Sequence, residues 1–156
     1  MRILVVGLLL AAFSGCATKP FVVADASAYA SQGSIYDGQA TVYVMRDTSG
    51  AGMAWPANVR LDGVQKGSLR RETYVRFAAT PGRHDILAHW NRLSALREVA
   101  FNSDFKSGKT YYVVIGTSFA AYAGIMQIGT NLGLVKPSVG AQLVATYHDR
   151  TPGAGQ

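Results

Sequence analysis

Asn58-Val59-Arg60-Leu61-Asp62-Gly63-Val64-Gln65-Lys66-Gly67-Ser68-Leu69 decides the fold class. Val59 and Leu61 alternate with Asn58 and Arg60, the two-residue period of a strand with one face turned inward. Asp62-Gly63 then makes a two-residue hairpin turn, because both central positions need positive φ, which glycine adopts freely and aspartate tolerates. Val64 to Leu69 returns as the second strand.

The same reading extends in both directions. Upstream, Thr41-Val42-Tyr43-Val44-Met45-Arg46 is apolar on both faces and is expected inside a sheet. Downstream, Thr73, Val75 and Phe77 share one side of a strand, with Tyr74 and Arg76 on the other. Pro81-Gly82 reads as a type II turn leading into a strand from His84 to Trp90. Leu96 to Ser103 and Thr110 to Gly116 read as a further hairpin around Lys106-Ser107-Gly108. Tyr111 to Ile115, apolar on both faces, belongs mid-sheet. Trp90 is expected in the core and Trp55 as a plug in a loop. Seventeen glycines, eight tyrosines and only 15% charged residues favour strands and turns. The expectation is an all-β fold, an antiparallel β-sandwich of about seven to eight strands. One short C-terminal helix is expected from Pro137, with Ser138 as N-cap and Val139, Leu143 and Tyr147 near one face; Gly140 weakens it.

The N-terminus sets the address. Arg2 precedes an apolar run from Ile3 to Phe13, and Ser14-Gly15-Cys16 closes it with small residues. This is the layout of a secretory signal, too short for a transmembrane helix of about 20 residues. The chain's one cysteine, directly after Ser14-Gly15, resembles the bacterial lipobox, with Phe13 where leucine is usual. That resemblance implies cleavage before Cys16 and acylation of its thiol. Residues 1–15 are then a signal peptide, 16–39 a lipidated N-terminus and flexible tether, 40–149 the β-sandwich, and 150–156 a disordered tail. As a coil, the tether would span about 24–29 Å. Ala17 is not the aspartate that marks inner-membrane retention in enteric bacteria, so the outer membrane's periplasmic face is the expected location. One cysteine cannot form a disulfide within the chain, so stability must come from the core.

The order of motifs is similar to that in the small bacterial lipoproteins grouped as domain of unknown function 2846. It runs Val42 to Arg46, Val59 to Gly63, Gly67 to Leu69, Tyr74 to Phe77, Pro81 to His84 and Gly108 to Val113. The resemblance implies a β-sandwich on a lipidated envelope protein. It carries no catalytic residue.

The residues themselves point away from catalysis. His84 and His89, five positions apart in one strand, should face opposite sides of the sheet and cannot share a metal. His148 is remote, and no metal or cofactor is implied. Gly116-Thr117-Ser118-Phe119 is not a nucleophile elbow. A hydrolase would need two carboxylates or a His–Asp pair gathered in a pocket. With a net charge of +6 on an exported chain, the anionic partners to expect are head groups or cell-wall polymers, not nucleic acid.

Two surfaces remain as candidates. Arg60, Lys66, Arg70, Arg71 and Arg76 form the densest basic stretch, a cationic sheet face for an anionic cell-wall or lipid ligand. Phe119 to Val135 carries no charge; it reads either as an irregular loop closing an open end of the sandwich or as a patch in which Tyr122, Ile125, Met126, Ile128 and Leu132 dock a partner or the membrane. The expected protein is a non-enzymatic structural or interaction module of the envelope. It is anchored through the lipid on Cys16 and has an envelope protein as partner. The alternative is a binding protein using the basic face.

Overall fold

The computed structural model describes residues 21–23, 26–47, 54–94, 96–122 and 125–153, with side chains within 26–47, 54–94, 96–116 and 129–153. Cys16 lies outside them. The strands are β1 (Phe21–Val23), β2 (Ala30–Gln32), β3 (Ala40–Arg46), β4 (Ala57–Leu61), β5 (Val64–Leu69), β6 (Thr73–Ala79), β7 (Gly82–His89), β8 (Val99–Phe105), β9 (Lys109–Tyr122), β10 (Ile125–Leu134) and β11 (His148–Asp149). One α-helix among the described residues, α1 (Pro137–Thr146), precedes the last strand. One sheet runs β1-β8-β7-β4-β5; the other runs β10-β9-β3-β6-β11, with β2 also paired to β9.

The expectation of a wholly antiparallel assembly of about seven to eight strands is therefore corrected. Among the described residues there are 11 strand segments in two sheets. The pairs β1–β8, β3–β9 and β6–β11 are parallel.

Alternation explains the core. Val42 and Val44 of β3, Val75 and Phe77 of β6, and Tyr111, Val113 and Ile115 of β9 join one hydrophobic cluster with Val59 and Leu61 of β4, Ile86 and Ala88 of β7, and Phe101 and Phe105 of β8. Both sheets thus turn one face to a shared interior, each large side chain contributing about 1.5–3 kcal/mol when fully buried. Trp90 is buried in this cluster and Trp55 packs at its edge. As expected of an interior strand, β3 lies between β6 and β9.

Asp62 and Gly63 have φ of 49° and 79°, the two positive values that the β4–β5 hairpin needs. The turn at Lys106-Ser107-Gly108, however, does not close a hairpin. It carries the chain from β8 in one sheet to β9 in the other, and Pro81 lies in a similar crossing between β6 and β7. The β4–β5, β6–β7 and β8–β9 connections share one end, the turn end. The longer connections after β3 and β7, together with Arg70 to Glu72, lie at the opposite, loop end.

The outer face of the second sheet is also covered. Tyr43, between buried Val42 and Val44, points outward and stacks on Tyr112 of β9 at 5.3 Å between ring centroids. Helix α1 lies over this face, its buried Gly140 against the Tyr112 ring. Near its C-terminus, the Tyr147 hydroxyl donates to Asp47 Oδ1 at 3.5 Å. Met45, on the same outer face, is fully buried although it stands outside the main cluster. The N-cap lies two residues earlier than expected: it is Lys136 and not Ser138, without a side-chain cap bond, and Pro137 occupies the first turn, where its missing N–H costs nothing.

Described parts of both segments expected to be flexible are fastened to the domain. Among the described residues the strands start with β1, ahead of Ala40. Ala26 is buried in the core, and the Thr110 hydroxyl donates to the Gly33 carbonyl at 2.5 Å. Part of the expected 16–39 tether thus packs on the domain. At the other end, the Arg150 N–H donates to the Tyr74 carbonyl at 2.8 Å and the Arg76 N–H to the Thr151 hydroxyl at 3.0 Å. The chain is thus fastened to β6 beyond residue 149.

Candidate functional site

At the turn end the fold brings together a His–Asp pair that the sequence reading missed. The pairing of β4 with β7 sets Leu61 opposite Ile86, so the hairpin turn arrives beside Asp85 and His84. His84 Nδ1 lies 2.6 Å from Asp62 Oδ2, and the Asp85 N–H donates to Asp62 Oδ1 at 2.9 Å. His84 Nε2 lies 2.7 Å from the Thr80 carbonyl, and its ring stacks on Phe105 at 5.8 Å. Both ring nitrogens are therefore engaged, and a general base needs one within reach of substrate. The arrangement clamps the β4–β5 turn to β7. Burial by itself would raise the Asp62 carboxyl. The Asp85 N–H, the His84 hydrogen bond and the charges of His84 and Lys66 outweigh it and hold the group below the usual carboxylate range. Asp85 goes the other way, raised by burial and then by the charges of Asp62 and Glu98.

The clamp predicts a pH dependence. Asp62, lowered in the folded state, contributes stability that is present above the ordinary aspartate value near pH 4 and lost as pH falls through its lower folded value. Asn keeps the turn geometry but not the charge. Asp62→Asn is expected to cost about 1 kcal/mol at pH 7, a charged hydrogen bond discounted for a half-exposed group. Against wild type, the deficit in thermal midpoint should close as pH drops toward 3. Asp85, with the opposite sign, is present in both proteins. A deficit that persists unchanged at pH 3 refutes the clamp.

The basic residues do not converge. Arg60 is exposed between buried Val59 and Leu61, on the outer face of the first sheet. Arg76 lies on the outer face of the second, 3.6 Å from Asp149. Lys66 sits with its ammonium 5.7 Å from the centroid of the Phe77 ring, and Arg70 and Arg71 are exposed in the loop-end connection. The single cationic sheet face is thus corrected to a scatter over both sheets, because β5 and β6, consecutive in sequence, belong to different sheets. His84 and His89 face opposite sides of β7, as alternation requires. Among the described residues no three His, Cys, Asp or Glu side chains gather as a metal site.

The uncharged stretch is not an irregular loop. It forms most of a long hairpin in which β9 and β10 pair from Tyr122 opposite Ile125 to Val113 opposite Leu134. Leu132, expected in the docking patch, is buried in the core instead. The side chains of Tyr122, Ile125, Met126 and Ile128 lie outside the described residues. No helix among the described residues is long and apolar enough to cross a membrane.

The family model described as "Protein of unknown function (DUF2846)" matches residues 36–126, more than half of the chain. The chain belongs to the DUF2846 family. No curated protein matches it. The DUF2846 span takes in β3 to β9 and the start of β10, and so includes Arg46, Asp62 and His84. The N-terminal strands and α1 of this DUF2846 protein lie beyond it.

Proposed function

We propose that this DUF2846 protein is a lipid-anchored component of the bacterial cell envelope, a non-catalytic structural or interaction module. Its two sheets are read as a β-sandwich held by an acylated Cys16 on the periplasmic face of the outer membrane. The observation that carries this reading is the lone cysteine closing a short apolar run directly after Ser14-Gly15, with β1 starting five residues later. The absence of catalysis is supported by the engagement of both His84 ring nitrogens. The scatter of basic residues favours an interaction module over a binder of one anionic ligand.

Cys16→Ser is the test. Three acyl chains exceed the two-signal requirement for stable anchoring, and removing the thiol removes them all. The variant should accumulate as unprocessed precursor or as a soluble form, read by acyl labelling with membrane fractionation. A variant that still fractionates as a mature, acyl-labelled membrane protein overturns the anchor.

A further inference from the structure

Strand β9 outruns its sheet. It pairs with β3 only as far as Ile115 opposite Arg46. From Gly116 to Tyr122 its partner among the described strands is β10 alone, from Ile125 to Asn131. At about 3.3 Å per residue, this two-stranded ribbon runs about 23 Å past the end of β3 at the loop end. The chain carries no Asp, Glu, Lys, Arg or His between Lys109 and Lys136. Edge strands normally carry charges that discourage pairing, and this stretch has none.

The N-terminal lead points to the same end. Strand β8 runs from the loop end to the turn end, and β1 lies parallel to it with Phe21 opposite Phe101. Strand β1 therefore begins on the loop-end side, with Phe21 nearest that end. Cys16 is five residues before Phe21, which limits the lipid attachment point to at most about 18 Å from it. At the base of the ribbon the Thr130 hydroxyl donates to the Arg97 carbonyl at 3.2 Å. Arg70, Arg71, Arg92 and Arg97 are all exposed in the loop-end connections, interspersed with exposed Glu72 and Glu98. Arginine stems can lie along apolar surface while their guanidinium groups reach lipid phosphates.

We infer that the β9–β10 ribbon is a membrane-contacting arm, which lies against a phospholipid bilayer beside the lipid on Cys16 and turns the loop end of the domain toward that surface. This rests on the anchored reading above. With no other partner among the described strands, the outer edges of the ribbon carry backbone groups that hydrocarbon cannot satisfy, so the arm rests at the interface and does not span.

Acylation blocks Cys16, so a cysteine introduced elsewhere is the one reactive thiol. Gln127→Cys on the ribbon and Lys106→Cys at the turn end are each labelled with a polarity-sensitive fluorophore. The acylated proteins are then placed in phosphatidylethanolamine–phosphatidylglycerol vesicles, after checking that both keep the wild-type thermal transition. The label at 127 should shift to the blue, be quenched by lipid-borne quencher and resist iodide several-fold better than the label at 106. An anchored protein whose 127 label is as open to iodide as the 106 label overturns the arm alone. A 127 label that escapes both quenchers and self-quenches as the protein-to-lipid ratio rises assigns the ribbon to a second copy, which also overturns it. Unsubstituted protein that takes the label at Cys16 and fails to float with vesicles removes the anchor and the arm together.

Discussion

Arg46→Ala is expected to lower the stability of the domain by about 3–5 kcal/mol, the sum of two buried carbonyls losing a charged donor, at about 1–3 kcal/mol each, and of the cavity left behind. Arg46 ends β3 with only 3% of its surface exposed. One guanidinium nitrogen donates to the Trp55 carbonyl at 2.5 Å and to the Leu69 carbonyl at 3.0 Å. Leu69 ends β5, so a side chain from one sheet satisfies the backbone of the other. Burial lowers the guanidinium's pKa, but arginine stays charged across the working range. Alanine would leave two carbonyls without this donor and open a cavity where the side chain had been, and these losses add. Lysine, a point donor without the planar fork, should recover only part of the loss. Urea unfolding of the three proteins checks this. An alanine variant within about 1 kcal/mol of wild type, the worth of an ordinary hydrogen bond, would mean that water replaces the side chain.

The second large effect concerns a residue that sequence reasoning held against its helix. Gly140→Ala on an open helix surface stabilises by about 1 kcal/mol through helix propensity. Here the sign should reverse. A methyl built on Gly140 overlaps Cβ and Cγ of Tyr112, atoms fixed close to the β9 backbone and unable to swing aside. Overpacking of this kind costs about 1–3 kcal/mol. The helix would have to lift from a face on which Met45 is fully buried. Thermal denaturation of Gly140→Ala, Tyr112→Ala and the double variant gives the coupling. The double variant should lose less than the sum of the single losses, because removing the ring removes the clash. A Gly140→Ala protein more stable than wild type would show that the helix does not dock through this contact.

Glycine at 140 shows why local propensity misleads. Its cost to an isolated helix can be read in one dimension, whereas its benefit exists only because Tyr112, far away in sequence, comes to lie beneath it. The His84–Asp62 clamp has the same character. Asp62-Gly63 and Pro81-Gly82-Arg83-His84 could each be read as a turn motif. That the two meet depends on the register of β4 against β7, which neither motif contains.

What the sequence determined by itself is local. Alternation assigned Val59 and Leu61 to an inward face and put Val75 and Phe77 on one side of their strand. Positive-φ chemistry placed the turn at Asp62-Gly63, and doubled apolarity put Thr41 to Arg46 inside a sheet. Family membership, too, was legible in the order of those short motifs. The tertiary structure alone decided which strands pair. Lys106-Ser107-Gly108 turns the chain whether the next strand lies beside β8 or across the core from it. The second arrangement holds because Phe101 and Phe105 on one side and Tyr111, Val113 and Ile115 on the other can then bury against a common interior. The same collective burial brings β9 parallel to β3 and β1 parallel to β8. It thereby decides that the start of β1 and the far end of the β9–β10 pairing lie at one end of the domain. Periodicity fixes the face of a residue, but pairing is a property of strands far apart in the chain, set by how all of them together exclude water.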